Sequence, residues 1–233
     1  MKMDGSYNIA AVVLAGGRGK RMNSDTPKQY LQINGYPVLY YSLKAFEDSC
    51  VTSIVLVCGK GEEDYCRKEI VEKYHINKVK AVVEGGRERY HSVFNGLKMV
   101  KDSDYVLIHD GARPFITEKI IQDNIDAVIQ KKACVTGVPS KDTIKIAAED
   151  GSVAQTPDRS RVWIVQTPQT FATSLIYSAY EQILQMPEIS VTDDAMVVET
   201  VLKQPVYFVM GDYRNIKITT PEDLQVAGSF LDH

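Results

Sequence analysis

Near the start of the chain, three glycines are mixed with and followed by basic side chains. Glycine lets the backbone turn sharply and brings its amide groups close to a ligand. Amides and cations together at the end of a strand are typical of a site that holds a polyphosphate. The residues concerned are Gly16, Gly17 and Gly19, with Arg18, Lys20, Arg21 and Lys28.

This glycine segment matches neither of two common phosphate-binding motifs. A Walker A loop ends in Gly-Lys-Ser or Gly-Lys-Thr, and the chain contains neither sequence. The dinucleotide fingerprint Gly-x-Gly-x-x-Gly begins at Gly17 and Gly19, but Met22 takes the place of its third glycine. An acidic residue should also end the next strand, where Cys58 and Gly59 lie. These differences exclude a dinucleotide-dependent dehydrogenase and leave a glycine-rich turn with solvated charges as the structural alternative.

Three further polar segments follow predicted strands. They are Gly85-Gly86-Arg87-Glu88-Arg89 with Ser92, then His109-Asp110-Gly111-Ala112-Arg113-Pro114, and Lys141-Asp142-Thr143. Open parallel sheets bind ligands beyond the carboxyl ends of their strands, so we expect all four segments to converge on one rim. Taken singly, each has a structural alternative as a turn, a helix cap or a surface ion pair. No Cys or His pair has metal-ligand spacing, so a zinc site is not expected.

The elements that must position these segments alternate between strand and helix. Short runs rich in Val and Ile predict strands at 9–14, 54–58, 79–83, 105–108 and 133–138. Apolar residues at helical spacing predict a helix over Glu118–Lys131, with Thr117 as its N-cap. Such alternation indicates crossover units and a mostly parallel sheet covered on both faces.

Residues 142–165 depart from this alternation. Two extended stretches flank Asp150-Gly151, which is a hairpin turn signal. The pattern fits either an arm that pairs with a second subunit or a hairpin that extends the edge of the sheet. Helices are then predicted near 174–185 and 194–203, and a strand at 206–209. Thr220, Pro221 and Asp223 predict the N-cap, first turn and capping-box acid of a closing helix. We expect one domain over residues 1–233, with the arm at about 142–165.

Composition is that of an ordinary globular protein. The 233 residues are 44% hydrophobic and 24% charged, with a formal net charge of −3. An acidic balance argues against a protein that coats nucleic acid, whereas a local basic pocket fits a small anionic ligand. Cys58 and Cys134 lie in apolar strands and are predicted to be buried free thiols. No segment has the apolar core of a signal peptide or the length of a membrane span, so a cytoplasmic protein is expected.

Segments along nearly the whole chain resemble those of the 2-C-methyl-D-erythritol 4-phosphate cytidylyltransferase family. They occur in the family's order from Ala15 to Leu224 and read AGGRGKRM, PKQYL, GGRERYHSVFNGL, HDGARP, DTIK, DRSRVWIVQTPQTF, TDDA and NIKITTPEDL. The resemblance implies an α/β fold with a Rossmann-like nucleotidyltransferase core, a mostly parallel twisted sheet and a protruding β-hairpin arm for dimerisation. It implies transfer of CMP from CTP to methylerythritol phosphate, with Mg²⁺ held mainly by the CTP phosphates and no dedicated protein cage.

The resemblance also implies roles for individual residues. Arg21 and Lys28 would stabilise negative charge on the triphosphate during transfer, and Arg159 and Lys217 would hold the phosphate of the acceptor. Thr143, Asp110 and Arg113 would line the acceptor pocket, and the arm would bring Thr143 or Arg159 across a homodimer interface. The residues implied to surround CTP are Ala15, Gly16, Gly17, Gly86, Arg87 and Ser92.

Two more residues, Gly111 and Thr167, complete the expected substrate-binding set. Gly111 stands where the family more often has alanine, and we expect the missing methyl group to loosen the ribose side of the pocket. No activated serine or cysteine is needed, because a phosphate monoester is already a nucleophile. Two anions must be brought together, so the site needs fixed cations: arginine can grip two oxygens, and lysine is a point charge.

Two alternatives remain at this level. A ribitol 5-phosphate cytidylyltransferase shares the glycine loop and the PKQ, HD-x-x-RP and NIK segments, but Ala112, Trp163 and TDDA favour methylerythritol phosphate. The other alternative is a nucleotide-binding module without turnover. The presence of all four expected cations argues against it.

Overall fold

The structure is a computed structural model that describes residues 7–17, 22, 24 and 26–231. Its strands are β1 (Ile9–Ala15), β2 (Gln32–Ile33), β3 (Tyr36–Pro37), β4 (Ser53–Cys58), β5 (Val79–Glu84), β6 (Tyr105–Asp110), β7 (Ala133–Pro139), β8 (Ile146–Ala147), β9 (Val153–Gln155), β10 (Trp163–Ala172) and β11 (Tyr207–Met210). Its helices are α1 (Val38–Asp48), α2 (Glu63–Tyr65, continued by the π-helical Cys66–Glu72), α3 (Arg89–Lys98), α4 (Glu118–Lys131), α5 (Thr173–Ile183), α6 (Asp194–Leu202) and α7 (Pro221–Leu231). Short 3₁₀ turns occur at Lys28–Tyr30 and Arg159–Arg161.

Seven strands form one sheet in the order β11-β7-β10-β6-β1-β4-β5. Neighbouring strands run parallel, except that β10 is antiparallel to both β6 and β7. The carboxyl ends of β1, β4, β5, β6 and β7 therefore meet at one rim. The predicted mostly parallel sheet is confirmed, and the four polar segments all leave it at this rim.

The central strand β1 explains why the sheet is covered on both faces. Its side chains alternate between two buried clusters: Val13 packs with residues of α1, α2 and α4, and Val12 packs with residues of α3, α5 and α6. A strand buried on both faces needs apolar residues at every position, which is what the sequence IAAVVLA provides.

Local sequence signals set the ends of two helices. The Thr117 hydroxyl accepts a hydrogen bond from the amide of Ile120, which confirms Thr117 as the N-cap of α4. At the start of α7, the Asp223 carboxylate accepts the amides of Thr219 and Thr220 at 2.7 and 2.8 Å. The predicted capping-box acid of the closing helix is thereby confirmed.

The hairpin around Asp150-Gly151 forms an arm with its own two-stranded sheet. Strands β8 and β9 pair with each other, and Gly151 has a φ of +83° in the turn between them. The predicted limit at residue 165 is wrong, because Trp163 and Val165 belong to β10 and pair with Pro139 and Gly137 of β7. The apolar end of the segment is part of the main sheet, where its backbone pairs with β7.

The cysteines are free thiols, as predicted for Cys58 and Cys134, which are both buried. Cys66 is buried as well, and Cys50 is exposed. Within the described part of the chain, no helix combines the length and apolar character needed to cross a bilayer.

Candidate active site

A cleft of about 780 Å³ opens at the rim where the polar segments meet. It lies beyond the carboxyl ends of β1, β4, β5 and β6, as expected for an open parallel sheet. Sequence-predicted residues that line it are Ala15, Gly16, Gly17, Lys28, Gly86, Arg87, Ser92, Asp110 and Lys217.

Two glycine-rich turns form one wall of this cleft. The amide of Gly85 donates to the carbonyl of Cys58 at 2.8 Å, so the turn after β5 is tied to the end of β4. The amide of Gly86 donates to Ser92 Oγ at 3.0 Å, and that hydroxyl in turn donates to the Glu88 carbonyl. Ser92 therefore shapes the turn from within, whereas Arg87 extends into solvent.

Lys28 reaches the cleft from a short turn that is fixed at both ends. Its ammonium donates to the carbonyl of Ile218 at 2.8 Å. The next residue, Gln29, is buried and donates its amide to the carbonyl of Ala15. This arrangement holds Lys28 between the first glycine loop and the loop that carries Lys217. Arg21, the other cation predicted for the triphosphate, lies outside the described residues.

Asp110 lines the cleft and is surrounded by positively charged side chains. Its carboxylate accepts a hydrogen bond from Lys217 Nζ at 2.7 Å and lies 3.7 Å from Arg89 Nε and 3.9 Å from Arg113 Nε. Burial alone would raise the pKa of Asp110, but the positive charges of these three side chains outweigh burial and hold the pKa well below its ordinary range. Asp110 is therefore a carboxylate that only accepts hydrogen bonds.

Buried hydrogen bonds beneath Asp110 fix its backbone. The Asp110 amide donates to Thr167 Oγ1 at 3.1 Å, and the same hydroxyl lies 3.1 Å from His109 Nδ1. His109 Nε2 is 3.2 Å from the Arg113 carbonyl. Burial lowers the pKa of His109 to about 4, so the ring is neutral near pH 7. Since a carbonyl can only accept, Nε2 carries the proton and Nδ1 accepts from the Thr167 hydroxyl.

The loop with Lys217 is tied to the same framework. The buried Asn215 donates its side-chain amide to the Thr167 carbonyl at 2.9 Å, and Arg113 Nη1 donates to the Asn215 carbonyl at 2.8 Å. The Ile218 amide donates to the carbonyl of Ala112, also at 2.8 Å. These bonds place Lys217 beside Asp110 although the two residues are far apart in sequence.

The sequence model of one family, described as 2-C-methyl-D-erythritol 4-phosphate cytidylyltransferase, matches residues 9–233. The chain belongs to this family. A family member from Lachnoclostridium phytofermentans is 53% identical over 96% of each chain. One from Caldanaerobacter subterraneus subsp. tengcongensis is 48% identical, with 96% of this chain and 99% of the relative covered. Both carry the family's name.

Solved structures support the same assignment. A 4-diphosphocytidyl-2C-methyl-D-erythritol synthase from Anaerococcus prevotii superimposes with a TM-score of 0.86 at 39% identity, covering 99% of this chain and 98% of that one. The Thermus thermophilus 2-C-methyl-D-erythritol 4-phosphate cytidylyltransferase gives a TM-score of 0.78 at 27% identity, with 95% and 98% covered. The nucleotidyltransferase fold expected for a family member is thus confirmed.

Other predicted site residues of this family member lie away from the cleft surface. Thr167 is buried beneath Asp110. The Arg113 guanidinium donates to the Asn215 carbonyl and lies beside the Asp110 carboxylate. Thr143 and Arg159 belong to the arm, where both are exposed and Arg159 Nη1 lies 3.4 Å from the Lys141 carbonyl. A single chain therefore does not bring these two arm residues to the cleft wall with Lys28 and Lys217.

Gly111 faces the packed interior. A Cβ at this position would lie 2.6 Å from Leu39 Cδ1 and 3.0 Å from the carbonyl oxygen of Leu14. The space that alanine would fill is taken by Leu39, so the expectation of a looser ribose side is wrong. Gly111 shapes the pocket only through its backbone, whose amide donates to Leu14.

The sequence analysis gave no site role to Arg89 or Asp194, and both matter to the geometry of the cleft. Arg89 lines the cleft and binds the fully buried Asp194, which is remote in sequence. The signal available was the pair Asp193-Asp194 before an apolar helix: one carboxylate suffices as N-cap, which leaves the second to be explained. Asp193 is the cap, since it accepts the amide of Met196 at 2.9 Å.

Proposed function

We propose that the chain transfers CMP from CTP to the phosphate of 2-C-methyl-D-erythritol 4-phosphate, giving CDP-methylerythritol and pyrophosphate. One observation carries the proposal: in a member of this family, the Asp110–Lys217 pair, glycine-loop backbone and Lys28 line a single cleft. Relatives at about half identity over nearly the whole chain bear the name of that activity.

The nucleotide is proposed to occupy the side of the cleft between β1, β4 and β5. Backbone amides at Gly16 and Gly17 suit phosphate oxygens, and Lys28 adds a compact positive charge next to them. Arg21 is proposed to act with Lys28 on the triphosphate. The turn at Gly86, held by Ser92, is proposed to receive the pyrimidine edge.

The acceptor is proposed to lie against Asp110 and Lys217. An ionised carboxylate that only accepts hydrogen bonds suits a sugar hydroxyl, and Lys217 suits the acceptor phosphate. A phosphate oxygen forms a bond to the α-phosphorus of CTP while the bond to pyrophosphate breaks. No general base is required, since the monoester is already deprotonated; the chain supplies alignment and positive charge.

Magnesium is proposed to enter with the nucleotide. In the described part of the chain, no group of three or more His, Cys, Asp or Glu side chains is arranged to hold a metal ion. Mg²⁺ commonly keeps waters and binds through substrate phosphates, where it offsets negative charge. The residues of this chain that would meet such a complex are Gly16, Gly17 and Lys28.

We propose that the reaction takes place in the cytoplasm, where CTP is available.

The arm is proposed to complete the acceptor site in a homodimer. Thr143 and Arg159 lie on the arm, and both have side chains suited to an anionic acceptor. Apolar side chains are exposed on the arm at Ile146 and Val153 and on the neighbouring sheet at Ile164 and Phe208. Exposed apolar side chains on the arm and on the sheet beside it suit a subunit interface.

The test is release of pyrophosphate from CTP in the presence of Mg²⁺, with methylerythritol phosphate and ribitol 5-phosphate compared side by side. We expect turnover with methylerythritol phosphate and at least about tenfold lower kcat/KM with ribitol 5-phosphate. Preference for ribitol phosphate would assign the chain to the alternative reaction. Nucleotide binding without turnover of either acceptor would indicate a module that binds without catalysing.

The variant Lys28→Ala makes the test specific to the cleft. Removing a fixed cation that stabilises charge in the transition state should lower kcat by about 100-fold or more. Lys119→Ala, which removes an exposed lysine from α4, is the matched control and should leave kcat unchanged. Equal turnover of Lys28→Ala and the parent chain would refute the role given to Lys28.

A further inference from the structure

A buried ion pair lies directly behind the acceptor side of the cleft. Arg89 Nη1 and Nη2 donate to the two oxygens of Asp194 at 2.8 and 2.7 Å. The Asp194 side chain is fully buried, whereas that of Arg89 is 31% exposed and lines the cleft. The pair therefore has one end closed off from solvent and the other end at the substrate site.

Tyr180 fixes the buried Asp194 side chain of this pair. Its hydroxyl, also buried, donates to Asp194 Oδ1 at 2.6 Å. Burial and the negative charge of Asp194 raise the pKa of Tyr180 well above its ordinary value, so the hydroxyl keeps its proton. Asp194 begins α6 and Tyr180 lies on α5, and these two helices pack against each other. The Asp194 carboxylate is thus fixed by a neighbouring helix.

Fixing Asp194 fixes the orientation of Arg89 toward Asp110. With Nη1 and Nη2 held by Asp194, the Nε side of the planar guanidinium lies 3.7 Å from Asp110 Oδ1. Lys217 binds the other oxygen of Asp110, Oδ2, at 2.7 Å. The Asp110 carboxylate is consequently placed among three cations, with Arg89 nearest Oδ1 and Lys217 and Arg113 nearest Oδ2, and its orientation toward the cleft is defined.

We propose that Asp194, supported by Tyr180, is a positioning residue for the acceptor: it keeps the Arg89 guanidinium engaged so that Arg89 does not take both oxygens of Asp110. This inference rests on the proposed function and adds to it a residue that touches neither substrate. A carboxylate that faces a free guanidinium forms a bidentate pair. Such pairing would turn Asp110 toward Arg89 and make Arg89 compete at Oδ2 with Lys217 and with an acceptor hydroxyl.

The local charge supports this assignment. Arg89, Lys217 and Arg113 carry three positive charges around Asp110, and Asp110 with Asp194 carries two negative charges. One positive charge remains for the acceptor phosphate. Buried ion pairs are poor stabilisers compared with apolar contacts of the same volume, so stability alone gives little reason for this arrangement. Removing Asp194 would leave Arg89 to pair with Asp110.

The test compares KM for each substrate in the pyrophosphate assay with Mg²⁺. Asp194→Asn keeps the shape of the side chain and removes its charge. We expect KM for methylerythritol phosphate to rise by about tenfold or more, with KM for CTP within about twofold of the parent chain. Asp194→Glu restores the carboxylate and should return the acceptor KM to within about threefold of the parent value.

Asp193→Asn is the matched control, because it removes a charge at the same helix end but does not contact Arg89. Asparagine is as good an N-cap as aspartate. The acceptor that the substitution removes serves Gln169 Nε2 and not Arg89, so both KM values should stay unchanged. If Asp194→Asn does not fold, Tyr180→Phe decides by the same comparison, because it removes the hydroxyl that donates to Asp194 Oδ1 and leaves Arg89 itself unchanged.

Equal increases in both KM values, or an acceptor KM that does not change in Asp194→Asn, would overturn the positioning role. So would an effect of Asp193→Asn as large as that of Asp194→Asn. In either case, turnover by the parent chain would still uphold the proposed function. A parent chain that releases no pyrophosphate with methylerythritol phosphate would contradict both.

Discussion

His109 and Asp110 are adjacent residues of β6 with opposite protonation behaviour. The His109 ring packs edge-on against Phe46 in the core, with its centroid 5.4 Å away, and is kept neutral by burial. Asp110 ends the strand at the cleft and is kept ionised by three cations. His109 supports the backbone of Asp110 through Thr167. At this scale, the site depends on a histidine that does no acid–base chemistry.

The depressed pKa of His109 predicts a pH dependence of stability. Unfolding restores its ordinary pKa of 6.5, against about 4 in the folded chain, so the unfolded state binds more protons between these values. The free energy of unfolding should therefore fall as pH drops through this window, by about 2 kcal/mol between pH 7 and pH 4.5 from His109 alone. Asp110, whose pKa is also depressed, loses its contribution only at lower pH.

Urea denaturation at several pH values measures this effect. In His109→Gln, the difference in unfolding free energy between about pH 7 and pH 4.5 should be smaller than in the parent chain by about 2 kcal/mol. His75→Asn removes an exposed histidine and keeps a residue that tolerates its positive φ of 53°, so the difference should stay as in the parent chain. Identical pH profiles for His109→Gln and the parent chain would show that His109 is not the group responsible.

At the scale of elements, the arm separates two of the expected site residues from the cleft. Arg159 is proposed to hold the acceptor phosphate after the arm joins a second subunit. Arg159→Ala should therefore raise the acceptor KM or lower kcat by about tenfold or more, because a charged hydrogen-bond donor is lost. Calorimetry should give CTP binding near that of the parent chain. The matched control Arg161→Ala removes a neighbouring exposed arginine of the same turn.

A loss of CTP binding in Arg159→Ala would move this arginine to the nucleotide side. Equal changes in acceptor KM or kcat for Arg159→Ala and Arg161→Ala would indicate that the total positive charge of the arm matters, and not the position of Arg159. Either result would contradict the assignment of Arg159 to the acceptor phosphate.

Elements with a regular pattern could be predicted from sequence, whereas contacts between distant segments could not. The apolar run of β1 and the period of α4 have local causes, and both elements form where predicted. The local pattern places Trp163–Val165 in the arm, because the pairing of this segment with β7 depends on a strand more than 20 residues earlier. Arg89 and Asp194 are 105 positions apart, and nothing in either local segment predicts their contact. Motif resemblance pointed to Asp110 and Lys217, but only the fold shows that they are paired.

At the scale of the whole molecule, the exposed apolar surface near the arm predicts self-association. Phe208 on the edge strand β11 is half exposed and stacks on Trp163, with ring centroids 4.7 Å apart. Light scattering at micromolar concentration should give a mass near twice that of the chain. Phe208→Glu should shift the mass toward one chain, because a charge would be buried at the interface. Met99→Glu, at an exposed apolar residue of another surface, is the control and should leave the mass unchanged.

A mass of one chain for the unmodified protein at that concentration would contradict the homodimer. The arm residues Thr143 and Arg159 would then have no proposed route to the acceptor site.

The proposed reaction requires one rim of the sheet to bind two anions through fixed cations and exposed amides. A crystal structure with CTP and Mg²⁺ tests this most directly. We expect phosphate oxygens at hydrogen-bond distance from the amides of Gly16 and Gly17, with Lys28 Nζ turned from the Ile218 carbonyl toward the triphosphate. Phosphates bound elsewhere, with Lys28 directed into bulk water, would contradict the account.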